Sequence, residues 1–175
     1  MYTLDCIYVT TGEAPVLQKL VKDATDSLYA HCAVRIVIEG KERIIEADPP
    51  AVHSSPGNEY DNCEIKEIIS LPITEEQRQA VIDRAFELLG KEYGTDDCIE
   101  GGTGDIINRM NEGLGDTVAE VLHTFIDDPD TFDCSHVVTE LVRAAFPDFA
   151  SELEGARITP EHSRKLVAEL YNQLT

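Results

Sequence analysis

Between residues 31 and 39 the hydrophobic pattern takes a period of two. Cys32, Val34, Ile36 and Ile38 alternate with His31, Ala33, Arg35, Val37 and Glu39. Alternate side chains fall on opposite faces only in an extended strand, so this stretch has to lie in a sheet with one face on a core. Gly40-Lys41 follows as a turn and residues 43–47 resume as a second strand, which together predict a hairpin. Apolar runs at 4–9 and 64–71 predict two further strands, and Asp48-Pro49-Pro50 closes the hairpin. Residues 53–62, rich in Ser, Pro, Gly and Asn, predict a loop.

Elsewhere the period is helical. Val16, Leu17, Leu20, Val21, Ala24 and Leu28 predict a helix over 14–29 with one face on a core. Thr74 with Gln77 three residues on forms a capping box ahead of Val81, Ile82, Ala85, Phe86, Leu88 and Leu89, and Gly90 is placed to end that helix. Residues 91–104 predict a glycine-rich loop beside a site, 106–110 and 116–125 short helices, and 127–130 an acidic loop. A helix opens at Cys134, with Val137, Val138, Leu141, Val142, Ala145 and Phe146 as its apolar stripe. Thr159 and Pro160 start the last one, with Leu166, Val167, Leu170 and Tyr171 facing inward. No repeat or long linker divides the chain, so residues 1–175 read as a single α+β domain, a small antiparallel sheet packed with helices.

Charge narrows the function classes. Thirty-four acidic against fourteen basic residues give −20, which argues against a basic surface for nucleic acid or anionic membrane. High solubility is the favoured reading of that charge; a nucleic-acid mimic and a cation binder are the others. The chain opens without a basic and apolar leader, and no apolar run is long enough to span a bilayer, so a cytoplasmic location without membrane insertion is expected. Five cysteines at irregular spacing, with no Cys-x-x-Cys pair, predict free thiols in a reducing compartment and neither a zinc site nor any other cofactor. The acidic loop at 127–133 lacks the spacing of a calcium loop.

Cys134 is the residue with chemistry to offer. In the first turn of a helix a thiol faces unpaired N–H groups and the positive end of the dipole, both of which favour the thiolate. The alternative is a small buried core cysteine. A nucleophile needs a base in reach and a third group to orient that base. Of the five histidines, His136 points roughly 200° away from Cys134 around a helix and cannot serve it. His31, at the start of a strand with apolar neighbours, is held by a rigid element. Asp133, next to the cysteine, opposes thiolate formation unless it turns away to cap the helix.

The stretches His31-Cys32-Ala33-Val34-Arg35-Ile36-Val37-Ile38, Ile44-Ile45-Glu46-Ala47, Gly90-Lys91-Glu92-Tyr93-Gly94, Cys134-Ser135-x-x-Val138 and Ile158-Thr159-Pro160, in that order, resemble the permuted branch of the NlpC-type, papain-like cysteine hydrolases, the YiiX-like or LRAT-like group. In that branch the histidine strand precedes the nucleophile helix. The similarity runs from residue 31 to about residue 167. It implies a circularly permuted papain-like fold, with Cys134 as nucleophile, His31 as general base and Glu46 as the group that orients the imidazole. Tyr93 and the Cys134 backbone N–H are implied as oxyanion donors. The implied reaction is acyl transfer from an amide through an acyl-thioenzyme, on a peptide or acyl substrate. The family's "Val-Gly" after the histidine is Cys32-Ala33 here, its "Cys-Ser-Glu-Leu-Val" is Cys-Ser-His-Val-Val, and its "Pro-Tyr-Asp" is Glu-Tyr-Gly.

One element of this assignment meets a geometric obstacle. With a turn at Gly40-Lys41, Glu46 falls opposite Arg35, on the right face but four residues from His31. At ~3.3 Å per residue that is roughly 13 Å, too far for the carboxylate to hold the ring. Either a bulge or shifted turn brings Glu46 closer, or Asp48, which has the same parity, takes its place. The other function classes are a thioesterase or acyltransferase with the same residues and a non-catalytic acidic binding module on the same fold.

Overall fold

The computed structural model describes residues 2–10, 28–29, 31–48, 50–63, 66–92, 134–150 and 159–175. Five strands and three helices occupy these segments: β1 (Tyr2–Val9), β2 (His31–Ile38), β3 (Lys41–Asp48), β4 (Ala51–Pro56), β5 (Lys66–Ile73), α1 (Glu75–Leu88), α2 (Cys134–Ala145) and α3 (Pro160–Leu174). The strands form one antiparallel sheet in the order β4-β3-β2-β1-β5. The α+β expectation is met. The helix expected over 14–29, those at 106–110 and 116–125, and the acidic loop lie outside the described residues. Leu28 and Tyr29, which are described, are not helical.

The alternation in β2 sorts its side chains as the pattern requires. Cys32, Val34 and Ile36 join Leu4, Tyr8, Ile45, Ala47 and Leu71 in the main core, against the apolar stripes of α1 and α2. Helix α2 packs on β2, β3 and α1, and α3 on β5 and β1. On the opposite face Ala33 meets Ile7, Val9, Ile44 and Tyr60 in a smaller cluster. Arg35 pairs across the strands with Asp5 at 2.8 Å.

The capping box is present: Thr74 Oγ1 accepts from the Gln77 N–H and Gln77 Oε1 from the Thr74 N–H. Gly90, just past the helix, takes φ +82° as expected of a left-handed terminus. Thr159 caps α3 with Pro160 in its first turn. In α3 only Val167 of the four expected inward residues is fully buried; Leu166 and Leu170 are partly so, and Tyr171 is exposed.

Two strand expectations are corrected. β4 runs into the segment expected as a loop from 53, pairing with β3 through Asp48↔Ala51 to Arg43↔Pro56. An edge strand needs only one backbone ladder, so its polar Ser54 and Ser55 and its final proline are tolerated. The strand expected at 64–71 lies at 66–73 and runs through Pro72, again on an edge.

The hairpin turn is also moved. Glu39 and Gly40, not Gly40 and Lys41, are its central residues, with φ of 50° and 74°. Two successive positive φ values match the twist of the flanking strands. The ladder then runs Ile38↔Lys41 to Val34↔Ile45, and one step further sets Glu46 opposite Ala33. Moving the turn by one residue shifts the register by two and halves the offset between Glu46 and His31, from four residues to two.

After β4 the chain turns sharply over β3. The Gly57 N–H donates to the Glu42 carbonyl, and a Cβ on Gly57 would stand 2.4 Å from the Glu42 Cβ. Gly57→Ala is expected to lower the stability by about 1–3 kcal/mol through overpacking. A urea titration against the parent chain measures it, and an unchanged midpoint would show that the turn yields freely.

Candidate functional site

The site forms where the N-terminus of α2 meets the start of β2. The stripe of Val137, Val138, Leu141 and Val142 seats α2 on the sheet. Cys134, its first residue, is thereby held beside the first two residues of β2. The Cys32 thiol, the His31 ring and the Cys32 backbone N–H all lie close enough to the Cys134 sulfur to lower its pKa. Ser135 Oγ lies 3.6 Å from the Cys32 sulfur and 4.0 Å from that of Cys134. Cys134 is 7% exposed and Cys32 fully buried.

On the far side of the His31 ring stands Glu46. His31 Nε2 is 3.0 Å from Glu46 Oε2. A carboxylate can only accept, so Nε2 carries the hydrogen and Nδ1 is the ring nitrogen left to exchange a proton with Cys134. The shifted register makes the contact: His31 and Glu46 are diagonal neighbours on one face, a reach that long side chains cover. Asp48, the competing carboxylate, is exposed, and the ring turns to Glu46 instead.

Glu46 is only 2% exposed, and its charge is met by donors from three segments. Tyr60, in the turn after β4, donates to Oε2 alongside His31. Ser55 on β4 donates to Oε1 at 2.7 Å. His53, directly opposite Glu46 in the β3–β4 ladder, brings Nε2 to 3.3 Å from Oε1. His53 Nδ1 is 3.1 Å from the Ala51 carbonyl and must donate to it, so Nε2 gains its own hydrogen only in the imidazolium. The Tyr60 ring also packs on His31, centroids 5.8 Å apart.

These contacts set the protonation states. Burial opposes ionisation of Glu46, but hydrogen bonds from His31, Tyr60 and Ser55 outweigh it and hold its pKa at about 2. Burial likewise opposes charge on His31. Hydrogen bonds to Cys134 and Glu46, and the negative charge of both, outweigh that and raise its pKa to about 10. The Cys134 thiol is held well below the ordinary range, first by the Cys32 thiol hydrogen bond and then, against its own burial, by His31. Burial and the Glu46 charge push Tyr60 up, so it remains a donor. The directions of these shifts favour a thiolate and an imidazolium backed by a carboxylate. Such a set can attack a carbonyl and return a proton to its leaving group.

Three of the four residues expected at the site thus converge: Cys134, His31 and Glu46. Tyr93 and Asp133 lie outside the described residues. His136 faces Glu140 on the next turn of α2, 4.0 Å away, and does not serve Cys134. The sequence reading missed Cys32, Ser55, His53 and Tyr60. Parity alone would have put His53 and Ser55 on the Glu46 face had β4 been recognised as a strand; Tyr60 carried no such signal. Two surface cavities, of about 300 Å³ between α1 and the β2–β3 hairpin and about 440 Å³ between α2 and α3, are lined by none of these site residues.

The chain matches no protein-family model and no curated protein. Among solved structures it is similar to the metalloprotein YiiX of Escherichia coli O157:H7, at a TM-score of 0.53 and 18% identity, over 94% of this chain and 84% of that one. Among the described residues here, no group of three or more His, Cys, Asp or Glu side chains is arranged to hold a metal ion, and no helix is long and apolar enough to cross a membrane. At this identity the likeness speaks for a related fold: an α+β domain in which helices pack on a five-stranded antiparallel sheet, of the YiiX kind.

Proposed function

We propose that this chain is a cysteine hydrolase of the permuted papain-like kind, cleaving an amide bond in a peptide or isopeptide. The observation that carries the reading is the His31 ring, bonded at Nε2 to a buried carboxylate, with its pKa raised by the Cys134 thiol at a helix start and by that carboxylate. Supporting it are the order His31, Glu46, Cys134 along the chain and the fold likeness to YiiX. Peptides of the cell-wall type are the proposed substrate class.

In the proposed reaction the Cys134 thiolate attacks the carbonyl carbon and the oxygen takes the negative charge. The Cys134 N–H, in the first turn of α2, is the donor for that oxyanion. As the carbon–nitrogen bond breaks, the His31 imidazolium gives its proton to the leaving amine. Neutral His31 then takes a proton from water, whose oxygen attacks the acyl-thioenzyme; the carbon–sulfur bond breaks and the thiolate and imidazolium return. Glu46 keeps the ring oriented and favours its charged form throughout. An acyl acceptor in place of water would turn the same steps into transfer, so ester and thioester substrates belong in the same assay as amides.

With its pKa held well below that of an ordinary thiol, Cys134 is expected to react with iodoacetamide at neutral pH faster than the other cysteines, at a rate that rises far less than theirs between pH 7 and pH 9. Peptide mapping after brief labelling measures this. A rate that climbs tenfold per pH unit through 8 to 9, as for an ordinary thiol, would sink the reading.

Glu46→Gln is expected to lower amide hydrolysis by about 10²–10⁴-fold, the usual weight of positioned acid–base catalysis. It should also bring the alkaline limit of activity down from near pH 10, since the charge that raises His31 is gone. Full activity with an unmoved limit would remove Glu46 from the mechanism.

The same groups govern stability. The Glu46 contribution is fully present above about pH 4.5 and is lost as pH falls toward its folded value of about 2. That of His31 is fully present below about pH 6.5 and is lost as pH rises through about 10. The stability gap between the parent and Glu46→Gln should therefore be widest near pH 5–6 and narrow on both sides. Denaturant midpoints across pH test it, and a gap independent of pH would contradict the ion-pair account.

A further inference from the structure

Cys32 has no part in the acyl-transfer steps, yet its thiol stands first among the groups that lower the Cys134 pKa. Both sulfurs converge on one hydroxyl, Ser135 Oγ, which lies 3.6 Å from Cys32 and 4.0 Å from Cys134. They come from different elements, the second residue of β2 and the first of α2. Their burial differs in a useful way: Cys134 retains 7% exposure and Cys32 none. An oxidant therefore meets Cys134 first, while Cys32 is kept reduced beside it.

We propose that Cys32 is a resolving thiol, so that oxidation of Cys134 by a peroxide ends in a reversible Cys32–Cys134 disulfide. The Cys134 thiolate attacks one oxygen of hydrogen peroxide, the O–O bond breaks, and the departing hydroxide takes up a proton as water. Cys134 is then a sulfenic acid. The Cys32 sulfur attacks the Cys134 sulfur, the S–S bond forms and the S–O bond breaks, and the hydroxide leaves as water with the Cys32 proton. Across both steps two thiols are oxidised and one peroxide is reduced to two waters. The disulfide ties β2 to α2 and removes the nucleophile until a dithiol reductant restores both thiols.

Neither of the other described cysteines competes. Cys6 is fully buried, and its thiol is pushed up by that burial and by the Asp5 charge. Cys63 packs against the cluster on the opposite face of the sheet. The proposal needs a reactive Cys134 thiol but no hydrolytic activity, so the two ideas can fail separately.

The test uses the full reduced chain, treated with a small excess of hydrogen peroxide, blocked with iodoacetamide in denaturant and digested with trypsin without reductant. Cleavage after Lys and Arg leaves each of the five cysteines in its own peptide, so every pairing is distinguishable by mass. The expected result is one cross-linked species joining the Cys32 and Cys134 peptides, with Cys6, Cys63 and Cys98 still alkylated and the link lost on treatment with dithiothreitol. In Cys32→Ala the sulfenic acid has no partner, and Cys134 sulfinic acid should accumulate at least several-fold over the parent. Overturning results are five alkylated thiols after peroxide, Cys134 sulfinic acid with Cys32 free in the parent chain, or a cross-link from Cys134 to any other cysteine.

Discussion

The site rests on a charge that has no water to stabilise it. Glu46 lies within a β-strand, 2% exposed, and stays ionised. A buried carboxylate stripped of its partners costs several kcal/mol, so the fold has to deliver donors to both oxygens. It draws them from the first residue of β2, from β4 and from the turn that Gly57 presses against Glu42. The β3–β4 pairing and that close turn are thus part of the same electrostatic arrangement as the His31 contact. A change that loosens either withdraws a donor from Glu46 and, through it, weakens the hold on the imidazole. Site and scaffold are not separable here.

Cys134 and Cys6 show how little burial alone decides. Both are buried in the same core, and burial by itself pushes any thiol up. Cys6 follows that rule, with Asp5 adding to it. Cys134 goes the other way because the Cys32 thiol, the His31 ring and the Cys32 backbone N–H together outweigh its burial. Its place at a helix start adds the dipole in the same sense. The residue type set nothing; the direction of the surrounding donors set the chemistry.

That distinction also marks what could be read from the chain. The alternation at 31–39, the capping box at Thr74 and the stripe behind Cys134 are local patterns, and each gave the right element. The hairpin turn went wrong by one residue because Glu39, with a Cβ, adopts the left-handed backbone that composition assigns to glycine. That single step produced the 13 Å objection, since register moves by two for each residue of turn displacement. β4 was hidden because its polar residues point at a buried carboxylate rather than at an apolar core, so the pattern of a half-buried strand never appeared. Cys32 was read as a core residue by its parity, which was correct, but parity says nothing of which sulfur lies across the interface.

Ala33 joins these threads. The register places it opposite Glu46, and it lies two residues from His31 on the same face. The line from the carboxylate to the ring therefore passes over its side chain. Ala33 is fully buried in the cluster with Tyr60, so no space is left there for a larger group. A methyl is small enough to let both long side chains close over it, whereas a branched residue would stand between them. The family pattern to which the chain is similar has glycine at this point, and the size limit explains why alanine is an acceptable exchange. The preceding residue, Cys32, is as fully buried on the other face, where it lies against Ser135 and Cys134. A thiol fits there in place of valine, and with it comes a donor that valine lacks. Two adjacent residues of one strand, pointing to opposite faces, thus adjust the two halves of the site independently: one the carboxylate and imidazole, the other the thiolate.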